Sequence, residues 1–488
     1  MSGVARFALS IRLAVCFALF SGPAVPQPGV GPSILIEHVT VIDATGAPAR
    51  PDMSVLIVGD KIARIEPSSR MKSPPGAIKV DARRKFLIPG LWDMHVHCLN
   101  KNQPDLFFPL FVANGVTGVR DMGGDLPLRE IARLKQEVGS GTRVAPEIFA
   151  AGPILEGEHP FWPFSIPVKS ADDGKQAVLN LVQAGADFIK VYNTLSRDAY
   201  LAIATQAKQS GVPFAGHIPD GVSPAEASEL GQKSIEHLWG VPVYLTTDPD
   251  RIHKLSAEAD DAADPNSARD LYYKVNQAIL ASYDPSRAHA LFNDFIRNGT
   301  WQTPTFVVLR SYRSIHDPKL RLDPRLAYMP NDLIKFWDSM GGKPDPRNDE
   351  IQLRLYAHNI EIVKAMHEAH VPLLAGTDTP NPYTYPGFSL PDELEILVST
   401  GLSPMELLQT ATLRAAQFLG VDRDFGTVET GKIANLVLLD ANPLEGIANT
   451  RKVRAVVLRG KFLDRSALDG LLEKSRSQSQ KTTSSKPK

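Results

Sequence analysis

Short apolar runs crowd both ends of the chain. Near the start they are Ile34-Leu35-Ile36, Val39-Thr40-Val41-Ile42, Val55-Leu56-Ile57-Val58 and Ile62-Ala63-Arg64-Ile65. The last two are separated by Gly59-Asp60, a hairpin turn signal. The same texture returns at 427–462, with Leu436–Leu439, Val453–Leu458 and a Gly460-Lys461 turn. The pattern predicts a small β-sandwich assembled from two distant segments, 33–88 and 421–465.

Between them, over 89–420, strand-like runs alternate with helical stretches, the pattern of parallel β/α architecture. Eight candidate strands stand out: Leu91–His97, Val116–Met122, Val144–Ala150, Phe188–Tyr192, Pro213–Ile218, Ser234–Leu238, Thr303–Val308 and Pro372–Thr377. Eight such units predict a (β/α)8 TIM-like barrel, with its site at the C-terminal strand ends. The stretch 240–300, rich in Asp, Ala and Lys, reads as a helical insertion, either a lid or a side wall or surface decoration. Residues 466–488 read as a disordered tail, because from Lys474 on they are mostly Ser, Gln, Lys and Thr with no acidic residue.

The first 24 residues add a destination. Arg6 and Arg12, the apolar Leu13–Phe20 and the small Gly22-Pro23-Ala24 have the layout of a secretory signal peptide, so the chain is expected to be exported, periplasmic or secreted. The apolar core is too short to span a bilayer, and no later stretch is long and apolar enough for a membrane helix. Composition changes little: 488 residues, 43% hydrophobic and 22% charged, is ordinary for a soluble enzyme. A net charge of −1 gives no electrostatic reason for a nucleic-acid partner. Cys16 and Cys98 are the two cysteines, so no disulfide framework is implied.

The polar residues at the strand ends carry the chemistry. His95 and His97 share one face of a strand, a workable half-site for a divalent metal. Lys190, His217, His237 and Asp378 occupy the corresponding ends of four other candidate strands. Each has a bland reading alone: a core histidine, a paired lysine, a helix-capping aspartate. Six on five strands, all at the same end, are a far more specific signal.

At these residues the sequence resembles the amidohydrolase superfamily, in particular prolidase-like and imidazolonepropionase-like members. The matching motifs are GLWDMHVH at 90–97, GVTGVRDMGG at 115–124, FIKVY at 188–192 and AGHIPDGVSPAEASELGQKSIEH at 215–237, then AGTDT at 375–379 and GTVETGKIANLVLLDANPL at 426–444. The resemblance implies two divalent ions, zinc by preference, one held by His95, His97 and Asp378 and the other by His217 and His237. Lys190 would bridge them as a carbamate, since a protonated amine has no lone pair to offer. With Lys190 unmodified the implied site holds one metal, as in deaminase-like members. A metal-bridging hydroxide would attack a carbonyl, with Asp378 as base and then acid.

The resemblance also suggests a catalytic role for His159, in the loop after the third strand, where a surface histidine is the alternative. Tyr192 and Arg120 are candidate substrate contacts, although Arg120-Asp121 reads more simply as an internal support. The aromatic loop Asn381–Phe388 suits an apolar substrate wall or a proline-stiffened turn. Cys98 reads as packing. The expected activity is metal-dependent cleavage of an amide C–N bond in small peptides or N-acyl amino acids. A cyclic amidase, lactonase or deaminase is the alternative, and a non-catalytic scaffold the competing class. The expected partner is a small molecule or small peptide, with no membrane after signal cleavage; a homo-oligomer stays open.

Overall fold

A computed structural model describes residues 33–341 and 344–482. The signal-peptide reading of residues 1–24 lies outside the described residues. The two chain ends meet in one sheet. β1 (Ser33–Val41), β2 (Arg50–Val58), β3 (Lys61–Pro67), β4 (Ile78–Asp81) and β5 (Phe86–Pro89) come from the N-terminal side. They join three later strands, Leu436–Leu439, Val453–Leu458 and Lys461–Leu463, in an eight-stranded sheet. The expected sandwich is therefore one continuous sheet. β5 is the seam, pairing in parallel with β1 and antiparallel with Leu436–Leu439. Ile34, Ile36, Val55, Ile57, Leu436 and Val457 share one buried cluster, so the sheet wraps a common interior. Its far ends also touch. A Cβ on Gly460 would lie 1.7 Å from the Gly59 carbonyl, so only glycine fits where the two hairpin turns meet.

The middle of the chain holds the parallel strands. β6 (Leu91–Val96), β7 (Val116–Asp121) and β8 (Glu147–Ala150) form a three-stranded sheet. β9 (Leu155–Glu156), β10 (Ile166–Pro167), β11 (Ile189–Val191), β12 (Phe214–Gly216), β13 (Ser234–Glu236) and β14 (Trp301–Thr303) form a second, in the order β10-β9-β11-β12-β13-β14. The eighth expected strand, Pro372–Thr377, is not a regular strand. The segment contributes single parallel bridges, Gln302 to Leu373 on one side and Val96 to Thr379 on the other. On the opposite flank the Asp187 amide donates to the Ala150 carbonyl. The seventh strand is also shifted. It occupies Trp301–Thr303 rather than Thr303–Val308, because Pro304 removes a donor and Thr305 turns left-handed at φ 50°. The apolar Phe306-Val307-Val308 run that looked like a strand instead opens a helix, Phe306–Arg313.

The 240–300 insertion is helical as expected, with helices at Val241–Tyr244, Pro249–Asp260, Pro265–Ala281 and Pro285–Asn298. The last three each start at an Asp-Pro pair, in which the Asp248, Asp264 or Asp284 carboxylate caps free amides and proline takes the first helical position. The tail requires a correction. Arg465–Thr482 is a helix, not a disordered segment. Leu468, Ser475 and Ser479 are buried, with Leu471 and Leu472 packed on the core. That spacing is helical, but serine on the buried face hid it. Among the described residues no helix is long and apolar enough to cross a membrane.

Candidate metal centre

Four histidines gather at the C-terminal ends of the parallel strands, and each is held by its Nδ1 atom. His95 Nδ1 donates to Glu236 Oε2 at 2.8 Å, and His97 Nδ1 to the Gly123 carbonyl at 2.7 Å. His237 Nδ1 bonds Thr305 Oγ1 at 2.6 Å, and His217 Nδ1 lies 3.4 Å from Asn193 Oδ1. An imidazole whose Nδ1 carries the proton keeps a lone pair on Nε2, the state that ligates metal. Three of the Nε2 atoms converge on one carboxylate. His95 and His97 are each 3.3 Å from Asp378 Oδ1, and His237 is 3.8 Å from Oδ2. His95 Nε2 is buried without a well-aligned hydrogen bond, an orphan that a metal would satisfy.

Ligand atoms of His95, His237 and Asp378 all lie within 4.8 Å of one another, close enough to hold one ion. That grouping joins His95 to His237, which the sequence assigned to different ions. His217 flanks the set, its ring 5.0 Å from His237, 4.4 Å from Tyr192 and stacked at 4.7 Å on Trp239. Lys190 is wholly buried on β11. Burial lowers its amine to about 8; burial likewise depresses His217 and His237, and the positive charge of Lys190 adds to that. Burial would raise Asp378, but the His237 and His95 rings override it and hold the carboxyl well below its usual range.

The local backbone is built to allow this convergence. His237 and Asp378 both adopt φ 58°, a left-handed conformation costly for non-glycine residues and characteristic of functional sites. Gly376 passes so close to β6 that a Cβ there would lie 2.9 Å from the His95 amide nitrogen. Beneath the cluster, Arg120 reaches both Glu236 oxygens at 3.0 and 2.9 Å and the Met94 carbonyl at 2.5 Å. Arg120 is thus no substrate contact. It clamps the carboxylate that orients His95, and Asp121 separately receives the Cys98, Leu99 and Gly123 amides. Cys98 is buried, with its thiol pushed up by burial, as a packing residue should be.

A cavity of about 400 Å³ stands over His97, Lys190, His217, His237 and Asp378. Tyr192 lines it as expected, accepting a hydrogen bond from Trp162 Nε1 at 3.3 Å. His159 does not line it. That side chain is exposed, while Glu156 receives the Phe161 and Trp162 amides and those two residues line the cavity mouth instead. The 381–388 loop contributes only Asn381. Tyr383 and Tyr385 turn away and pack on Trp337 at 5.5 and 5.9 Å. The wall comes from residues that sequence reasoning missed: Phe161, Trp162, Trp239, Tyr312 and Met340. Glu236 was missed as well, although it directly precedes His237 in the strand.

The amidohydrolase family model matches residues 346–463. Imidazolonepropionase from Shouchella clausii (strain KSM-K16) is 36% identical over 119 residues, 24% of this chain. The match spans about a quarter (26%) of that relative's length. Among solved structures, a bottromycin amidohydrolase superposes with a TM-score of 0.71 at 21% identity, over 92% of this chain and 90% of that one. A Xaa-Pro dipeptidase with bound methionine in its active site gives 0.62 at 20% identity, over 88% and 100%. At these identities the superpositions speak for the fold.

Proposed function

We propose that the chain is a member of the amidohydrolase superfamily and, on that premise, a metal-dependent hydrolase of an amide C–N bond in small peptides or N-acyl amino acids. The observation that carries the reading is the set of imidazoles tied at Nδ1 and turned by Nε2 onto Asp378. We take the two parallel sheets as arcs of one (β/α)8 barrel, with the bridges through Leu373 and Thr379 supporting closure. His95, His97, His217, His237 and Asp378 would hold two divalent ions, zinc by preference, with Lys190 as a carbamate between them. Bound divalent ions would acidify water and polarise a carbonyl.

The protein's own groups supply the rest. Asp378, charged and held among imidazoles, takes a proton from the attacking water on a carboxylate oxygen and returns it to the leaving nitrogen. Glu236 and Thr305 keep His95 and His237 in the tautomer that leaves Nε2 free. Phe161, Trp162 and Trp239 narrow the entrance and exclude water from the amide. The signal-like residues 1–24 support export as part of the same proposal.

Metal analysis of purified protein, followed by a hydrolysis screen of dipeptides and N-acyl amino acids with and without chelator, tests the reading. Close to two ions per chain and chelator-sensitive amide cleavage are expected. One ion per chain would favour a centre built on His95, His237 and Asp378, and with it the deaminase alternative. Full activity in metal-free protein rejects the proposal.

A further inference from the structure

A second cavity, of about 500 Å³, lies beside the first and shares Leu309, Tyr312 and Met340 with it. One layer of side chains separates the two. The helix Phe306–Arg313 runs along both, and Arg313 lies one turn beyond Leu309, about 6 Å along the axis.

Arg313 has no carboxylate partner within 4 Å among the described residues, and its Nε is buried without a hydrogen bond. Its guanidinium lies over the Tyr356 ring at 4.7 Å. Arg310, one turn back, is already used, reaching Asp392 at 3.9 Å. The near cavity offers the opposite picture. Apart from histidines, the only cationic residue lining it among the described residues is Lys190, which is buried in the floor. An anion close to the scissile amide would meet no guanidinium there, whereas an anion reaching past Tyr312 would meet one whose planar fork suits a carboxylate.

We propose that the second cavity is the far half of the substrate site, with Arg313 holding a carboxylate at the distal end of the substrate. The substrate class is then an amide whose anionic group is several bonds removed from the reacting carbon. The cavity also contains Asp349 and His316. Asp349 opposes an anion and sets an upper bound on its affinity. The inference rests on the amide-hydrolase reading but is tested by binding, so the two can fail separately.

The probes are N-benzoyl ω-amino carboxylates of increasing chain length, each paired with its neutral methylamide. They are titrated against the full chain as purified, following the fluorescence of Trp162 and Trp239. The expected ratio of acid to methylamide affinity peaks at an intermediate length at tenfold or more. It falls towards one in Arg313→Gln and to an intermediate value in Arg313→Lys. Asp349→Asn, which leaves the cation–aromatic contact in place, raises the ratio several-fold and decides the matter if Arg313→Gln does not fold. A ratio that is greatest for the shortest, glycine-derived acid, or that is unchanged in both Arg313→Lys and Asp349→Asn, overturns the proposal. Length-dependent binding without hydrolysis of any amide would leave Arg313's role standing and reject the hydrolase reading instead.

Discussion

The floor of the near cavity and its wall are built on different principles. On the floor, three imidazoles are fixed from behind: Glu236 behind His95, the Gly123 carbonyl behind His97, Thr305 behind His237. Arg120 in turn holds Glu236 in full burial. The wall is held more loosely, its side-chain hydrogen bonds being long ones, Trp162 to Tyr192 and Tyr312 to Asn381, both at 3.3 Å. Phe161 is 63% exposed, Trp239 37% and Tyr312 37%, and Phe161 and Trp239 lie against other rings. A rigid polar floor suits chemistry, which needs its groups held to fractions of an ångström, while a loosely packed aromatic wall suits recognition by area and shape. If so, floor substitutions should strike turnover and metal binding together, and wall substitutions should alter substrate choice while leaving the metal alone.

The largest effect is expected at Asp378. Asp378→Asn keeps an oxygen ligand but removes the base, so kcat should fall by about 10²–10⁴ or more in steady-state assays on metal-replete protein. Near-normal turnover would move the proton chemistry to another group. Glu236 comes next. Glu236→Gln leaves Arg120 as an unpaired buried charge and weakens the hold on His95. We expect a loss of about 3–5 kcal/mol in denaturant unfolding and metal affinity lower by about 10–100-fold in a competition titration. Unchanged metal affinity would mean that His95 is oriented by its packing alone.

Where floor and wall meet, a pH effect is expected. The helix Phe306–Arg313 carries Leu309 and Tyr312 of the wall and follows directly on Thr305, which holds His237. At its start the Val307 amide donates to Glu393 at 2.7 Å. Burial raises Glu393 from 4.5 to about 8, so it folds as a neutral acid. A folded-state pKa above the unfolded one means that the folded chain keeps a proton the unfolded chain has released. Stability from this group is complete below the unfolded value and declines as pH rises through the folded one, by about 1.4 kcal/mol per pH unit in between. Glu393→Gln should remove that slope from about pH 5 to 8 in urea unfolding. A variant with the wild-type slope would assign the pH dependence to other groups.

The same contrast explains what could be read from the sequence. Floor residues carry their signal in the chain, because ionisable side chains at strand ends are rare and fall at one end of the candidate strands; the structure gathers His97, Lys190, His217, His237 and Asp378 around one cavity, with His95 buried against Asp378. The wall had no such signal. Phe161 and Trp162 look like any aromatic loop residues until Glu156 is seen to bind their amides, and the more conspicuous Tyr383 and Tyr385 proved to be packing. His159 was misplaced because a histidine in a loop says nothing about which way the loop turns. The composite sheet was legible from its alternation, but not its continuity, since the pairing of β5 with Leu436–Leu439 joins residues more than 300 positions apart. The last helix escaped because buried serines mimic a polar tail. Thr303–Val308 misled for the opposite reason, as β-branched residues after Pro304 begin a helix rather than continue a strand.

The smallest effect, and the cleanest test of the contrast, is expected at the wall. Trp239 stacks face to face on His217 with ring planes 6° apart, so it touches floor and cavity at once. The Trp162 side chain bonds Tyr192 through its indole nitrogen and lies against the rings of Phe161, Phe164 and Phe336, with no ring contact to a floor histidine among the described residues. If recognition resides in the wall, Trp162→Ala should raise KM for an aromatic amide several-fold while kcat and bound metal stay near wild type. An exposed aromatic contact of this kind contributes about 0.5–1.5 kcal/mol, or roughly 2- to 12-fold. The loss should shrink for an amide with a methyl group in place of the ring, because the missing contact is then missing in both proteins. Trp239→Ala should behave differently. It uncovers one face of His217, so a drop in kcat or in metal content should accompany the rise in KM. Should Trp162→Ala lower kcat and metal content as much as Trp239→Ala does, wall and floor would be one mechanical unit and the division drawn between them would fail.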